Sequence, residues 1–156
     1  MKEKAFQDNY PDELSYCYGC GRLNREGYQI KSYWDGDEAV CTYTPKPYHI
    51  SIPGYVYGGL IASLIDCHST GTAASAAHGE TEKELHNELP FRFLTGTLNV
   101  KYLQPTPLGV PLVLRSRVKE VKGRKVTVTT QLFADGKVTA TGEVIAIQVP
   151  KHLMPK

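Results

Sequence analysis

The stretch from Tyr57 to Ala77, Tyr-Gly-Gly-Leu-Ile-Ala-Ser-Leu-Ile-Asp-Cys-His-Ser-Thr-Gly-Thr-Ala-Ala-Ser-Ala-Ala, constrains the chain more than any other. Large or apolar residues fall at Tyr57, Leu60, Ile61, Leu64, Ile65 and His68, the i, i+3, i+4, i+7 spacing of an amphipathic helix. On the same helical net Gly59, Ala62, Ser63, Asp66, Thr70, Ala73 and Ala77 share a second stripe, and every member but Asp66 is small. A small stripe lets another backbone or a ligand approach closely. A lone carboxylate within it loses part of its hydration, which raises its pKa and suits it to act as a base. The bland alternative is a core helix carrying a solvated Asp. Gly58 and Gly59 weigh against it, because glycine costs about 1 kcal/mol relative to Ala inside a helix. A pair of them at the N-terminus fits close backbone approach and unpaired N–H groups aimed at a ligand.

The rest of the chain is read around that helix. Its 156 residues, 41% hydrophobic and 22% charged, suit one globular domain with a real core. A net charge of +2 is too small to argue for a nucleic-acid partner. No apolar run reaches the length of a membrane span, and no signal-peptide core follows Met-Lys-Glu-Lys. The expectation is a cytoplasmic protein whose four cysteines are thiols.

Residues 1–27 lack periodicity and read as an N-terminal extension. They contain Cys17-Tyr-Gly-Cys20-Gly. A C-x-x-C pair is half of a zinc site, but the signal becomes strong only with a second pair or two histidines. Cys41 falls on an expected strand and Cys67 in the helix, neither in a second pair, while His49 and His68 remain open as ligands. The favoured reading is a packed loop without a metal, ahead of zinc and of a redox pair. Residues 28–149 read as the domain proper and 150–156 as a tail. Tyr28, Ile30 and Ser32 alternate into a turn at Trp34-Asp35-Gly36-Asp37, and Ala39–Tyr43 returns as the second strand of a hairpin. Pro45, Pro47 and Pro53 mark a long loop into the helix. After Gly79, Thr81-Glu-Lys-Glu84 reads as a capping box for a short polar helical turn. Four strands follow, at 91–104, 111–121, 124–134 and 137–149. They are joined by a wide Pro105–Gly109 turn and by hairpin turns at Lys122-Gly123 and Asp135-Gly136. The predicted fold is α+β, order β-β-α-β-β-β-β. An antiparallel sheet of about six strands curls around one long helix, with its outer edge paired to another subunit.

Gly58-Gly59-Leu-Ile-Ala-Ser-Leu-Ile-Asp66, followed by Gly96-Thr-Leu-Asn-Val-Lys-Tyr-Leu-Gln-Pro105-Thr-Pro-Leu-Gly109, resembles the hotdog-fold acyl-CoA thioesterases, in the phenylacetate-pathway branch. Gly123-Arg124 and Asp135–Gly142 resemble that family's last two hairpins, and the likeness covers about residues 28–148. The resemblance implies a homodimer with shared active sites, or a dimer of dimers. It implies an acyl-CoA substrate and no cofactor beyond the coenzyme A of that substrate. It places the catalytic acid, as general base or nucleophile, on Asp66, and the oxyanion N–H on Gly58 with Gly59 adjacent. The Ser/Thr one turn after the acid falls on Thr70, that of the next strand on Thr95, and the Asn/Gln position ahead of the glycines on Ser51. Tyr57 stands where the family carries His, so His68 or His49 becomes a substitute to consider. Asn99 on the same strand joins the expected substrate contacts. Lys122, Gly123, Arg124 and Lys125 are the expected coenzyme A contacts, within a basic run that includes Arg115, Arg117 and Lys119. The alternatives are a non-catalytic acyl-CoA-binding protein, a hotdog hydratase or dehydratase, and a zinc-linked interaction module.

Overall fold

The computed structural model describes residues 4–79 and 92–154. Among these, one α-helix, α1 (Gly58–Gly79), packs on a single six-stranded antiparallel sheet. The strands are β1 (Ser32–Asp35), β2 (Glu38–Tyr43), β3 (Phe93–Tyr102), β4 (Leu112–Lys122), β5 (Lys125–Ala134) and β6 (Lys137–Gln148). Their spatial order is β1-β2-β4-β5-β6-β3, so β3 forms one edge. The element order and the curled sheet around one helix are those of the hotdog fold. The expected capping box at Thr81–Glu84 lies outside the described residues.

Local chemistry sets the meander β4-β5-β6. Asp135 and Gly136 both have positive φ, 50° and 72°, as a two-residue hairpin matched to strand twist requires. Period-two alternation then turns Leu112, Leu114 and Ser116 of β4 inward, with Val126, Val128, Thr130 and Leu132 of β5 and Ala140, Val144 and Ala146 of β6. Leu60, Ile61, Leu64 and Ile65 of α1 meet this face and are at most 2% exposed. Each such side chain contributes about 1.5–3 kcal/mol on burial. Gly142 sits in the inward row of β6. A Cβ there would stand 2.4 Å from Ile65 Cγ2, so the helix can settle on the sheet only because that side chain is absent.

Two polar seams run through this core, and both are satisfied. Ser69 Oγ meets Thr130 Oγ1 at 2.9 Å, which in turn meets Ser116 Oγ at 2.5 Å. His68 is fully buried. Its Nε2 donates to the Ala39 carbonyl at 3.1 Å, and its Nδ1 accepts from Ser32 Oγ at 2.9 Å. Burial pushes the His68 pKa down to about 4, which keeps the ring neutral.

The N-terminal part shows one departure from the sequence reading and one packing detail that it could not supply. Strand β1 begins at Ser32, not at Tyr28. The Tyr28 and Ile30 N–H groups donate instead to Tyr18 O (2.9 Å) and Gly19 O (3.2 Å), so the preceding loop claims these residues. The segment ahead of residue 28 is also part of the core. Ala5, Phe6, Gln7 and Tyr10 are buried, Phe6 packs on Trp34 with ring centroids 5.1 Å apart, and Gln7 Oε1 accepts the Ser32 N–H at 2.9 Å.

Candidate active site

The helix N-terminus is shaped by two tyrosines. Tyr57 O takes the N–H groups of Leu60 and Ile61, which leaves those of Gly58 and Gly59 as the leading donors of the helix. The Tyr57 ring folds over Gly59, and its atoms would lie 2.4–2.6 Å from a Cβ at that position. Tyr102, from the far end of β3, donates its hydroxyl to the Gly58 carbonyl at 2.7 Å. Ser51 belongs to the loop before the helix and donates to Tyr55 O at 3.5 Å. That loop and the turn after β3 are tied together by Val56 N–H to Thr106 O (2.9 Å) and Leu108 N–H to Gly54 O (2.9 Å). Ser51, Ile52, Tyr55, Gly58, Tyr102 and Leu103 therefore line one open cleft.

Asp66 lies two turns further along α1. Thr95 Oγ1 of β3 donates to Asp66 Oδ1. Partial burial pushes the Asp66 carboxyl above its ordinary pKa, and the Thr95 hydrogen bond and the charge of Arg92 offset part of that rise. The strand supplies Thr95 through a bulge: Thr95 pairs with Ala146 and Thr97 with Ile145, leaving Gly96 unpaired between them. The bulge has a second effect. Simple alternation places Thr95 and Asn99 on one face, but the extra residue flips the parity beyond Gly96. Asn99 pairs with Glu143 and faces away from the helix, in a cleft with Arg115 and Arg117. Asn99 thus lies on the opposite sheet face from Thr95.

His68 points into the core, where both ring nitrogens are engaged. Thr70 is 8% exposed and donates to the Cys67 carbonyl at 3.2 Å, one turn back along its own helix. The structure thus brings Asp66 and Thr95 together, gathers Ser51, Tyr57, Gly58 and Gly59 at the helix start, and leaves His68 and Asn99 elsewhere.

The basic run divides in two. Arg115 pairs with Asp35 and Glu38, Arg117 with Asp37 and Glu38, and Lys119 with Glu143, all on the outer sheet face. No ion pair among the described residues involves Lys122, Arg124 or Lys125, which project from the exposed β4–β5 turn with Gly123. Register places that turn. Val121, Val126, Ala146 and Thr95 form one row across β4, β5, β6 and β3, so Thr95 lies two strand spacings, roughly 10 Å, from Val126. These cations and Asp66 therefore share one end of the sheet. Arg92 and Tyr102 were not singled out as site residues from the sequence. Tyr102 carried a signal, the aromatic of the Tyr-Leu-Gln-Pro run, whereas nothing local marks Arg92.

A profile of the thioesterase superfamily matches residues 53–141. The acyl-coenzyme A thioesterase THEM4 of Xenopus laevis is 34% identical over 93 residues, which are 60% of this chain and 36% of that protein. The chain thus spans little more than a third of that curated relative. The crystal structure of a thioesterase superfamily protein from Shewanella loihica is similar at a TM-score of 0.69 and 44% identity, over 89% of this chain and 98% of the other. The Escherichia coli PaaI protein from the phenylacetic acid degradation operon shares the fold at a TM-score of 0.64 and 15% identity, over 79% of this chain and 81% of that one.

Proposed function

The chain belongs to the thioesterase superfamily, and on that premise we propose that it hydrolyses acyl-CoA thioesters to a free acid and coenzyme A. The observation that carries the reading is Asp66: a carboxylate on a small-residue helix face, partly desolvated and oriented by Thr95. In this reading Asp66 takes a proton from water as the oxygen adds to the thioester carbonyl carbon. The resulting oxyanion rests on backbone N–H groups at a helix N-terminus, those of Gly58 and Gly59. Collapse expels the coenzyme A thiolate, which recovers the proton from Asp66. Direct attack by Asp66 through a mixed anhydride yields the same products.

One helix cannot supply both groups. Gly58 and Asp66 are eight residues apart, roughly 12 Å along the axis, whereas an oxyanion donor must lie about 3 Å from the carbonyl oxygen. The proposal therefore includes a homodimer in which Gly58 of one subunit serves Asp66 of the other. Its support is the edge strand β3, where Leu94, Leu98 and Tyr102 are 60%, 38% and 53% exposed. Lys122, Arg124 and Lys125 receive the nucleotide phosphates of the substrate. A hydratase would need an imidazole beside the carboxylate, and His68 is held in the core instead.

The test is thiol release from a panel of acyl-CoA esters by the wild type and by Asp66→Asn. General-base catalysis contributes about 10²–10⁴ in rate, so the variant should lose activity in that range while keeping its far-ultraviolet spectrum. Equal rates for the two proteins would reject the role of Asp66. No activity of the wild type on any ester would reject the hydrolase in favour of an acyl-CoA-binding protein.

A further inference from the structure

The sequence separates Cys67 from the Cys17-x-x-Cys20 pair by almost fifty residues, and the fold removes that separation. The sulfurs of Cys17, Cys20 and Cys67 lie within 4.8 Å of one another, and Cys17 Sγ is 3.8 Å from Cys67 Sγ. All three are free thiols, with Cys20 and Cys67 buried and Cys17 half-buried. A disulfide needs its sulfurs about 2 Å apart. A tetrahedral zinc with Zn–S bonds of about 2.3 Å holds neighbouring sulfurs about 3.8 Å apart. The Cys17–Cys67 spacing is that tetrahedral edge.

The surrounding backbone is built to hold the thiols in this arrangement. Gly21 N–H donates to the Cys17 carbonyl at 2.7 Å and closes a tight turn around the pair. A Cβ on Gly21 would meet Cys17 N and O and Ser15 O at 2.5–2.6 Å, and one on Gly19 would stand 2.3 Å from Cys67 Sγ. Only glycine at both positions lets the loop wrap the sulfurs. The Arg92 guanidinium lies close enough to Cys17 and Cys20 to interact with their charge. The fourth cysteine, Cys41, is buried on β2 outside this group.

We propose that Cys17, Cys20 and Cys67 form a tri-thiolate site for a soft divalent cation of the zinc type, which ties the 17–21 loop to α1 beside Asp66. The cation replaces the thiol protons, which pass to the buffer. Three thiolates and one divalent cation leave a single negative charge, which Arg92 faces. The three protein ligands leave the fourth tetrahedral position to water or to a small anion. The site is independent of the hydrolase reading, because none of the three thiols takes part in the proposed reaction.

The experiment is a cobalt titration of the reduced, metal-stripped full chain under anaerobic conditions. The expected result is a near-ultraviolet thiolate-to-cobalt charge-transfer band that saturates at about one equivalent per chain and disappears when zinc is added. Cys17→Ser, at the half-buried position, loses the band, and Cys41→Ser retains it. Elemental analysis after dialysis against zinc should give about one zinc per wild-type chain. Absence of the band in the wild type overturns the proposal without recourse to any variant. So does a band that survives Cys17→Ser. If the reduced wild type binds no cobalt and two of the clustered thiols are lost to a disulfide in air, the cluster is a redox pair instead.

Discussion

Replacing Gly142 by Ala tests how tightly α1 is seated. At an unobstructed strand position the change would be favourable, since glycine costs about 0.5–1 kcal/mol relative to Ala. Here the new methyl would stand 2.4 Å from Ile65 Cγ2 and 3.4 Å from Ile65 Cδ1. Ile65 is 0% exposed, so its side chain has no solvent to move into. Overpacking of this kind costs about 1–3 kcal/mol. For a domain of this size that corresponds to a fall in Tm of roughly 2–12 °C. Urea denaturation gives the free energy directly, and a second substitution identifies the contact. Ile65→Val keeps Cγ2 and should leave the penalty in place. Ile65→Ala removes Cγ2 and costs about 2–5 kcal/mol on its own, but should cost at least about 1 kcal/mol less in the Gly142→Ala background, where the new methyl fills the vacated space. If Gly142→Ala is as stable as the wild type, or if Ile65→Val relieves it as well as Ile65→Ala does, the helix does not rest on this point.

Two further predictions test the proposed shared site and its coenzyme A contacts. Asp66→Ala and Gly58→Pro should each be nearly inactive, yet refolding them together should restore up to about half of the wild-type activity per heterodimer. One of its two sites then carries both lesions and the other neither, and no recovery in verified heterodimers would place both groups in a single subunit. Replacing Lys122 and Arg124 together by Ala should raise KM for acyl-CoA with little change in kcat, and should matter much less for a short thioester without the nucleotide. An unchanged KM for the CoA esters would remove these residues from the binding site.

What the sequence disclosed about this protein is what is local. The helix was legible because its spacing and its glycine pair lie within one stretch, and the hairpins because Asp135-Gly136 encodes its own backbone geometry. Asp66 was legible as the one acid on a small face, and the fold adds Thr95 as its donor. Three features were hidden because they depend on residues distant in the chain. The parity of Asn99 was lost because a bulge at Gly96 is decided by pairing with β6, not by the strand itself. The N-terminal segment was expected to pack as a loop, but without periodicity it gave no sign of where, because residues such as Phe6 and Gln7 dock into places that only the finished sheet creates. Cys67 reads as a helix residue until the fold carries the Cys17–Cys20 loop to it.

The position of β3 bears on the order in which the molecule can be built. β4, β5 and β6 are joined by turns of two residues, Gly123-Arg124 and Asp135-Gly136, so their pairing closes only short loops. β3 precedes them in the chain but pairs only with β6, across residues 103–136. With loop-closure entropy growing as (3/2)RT ln n, closing about 34 residues in place of 2 costs roughly 2.5 kcal/mol more. The meander is thus the natural nucleus, and β3 is the strand that joins it late. Thr95 travels on that strand, so Asp66 acquires its partner only as the sheet is completed. A chain trapped before that step would retain most of its secondary structure and still lack the pairing at the candidate catalytic residue.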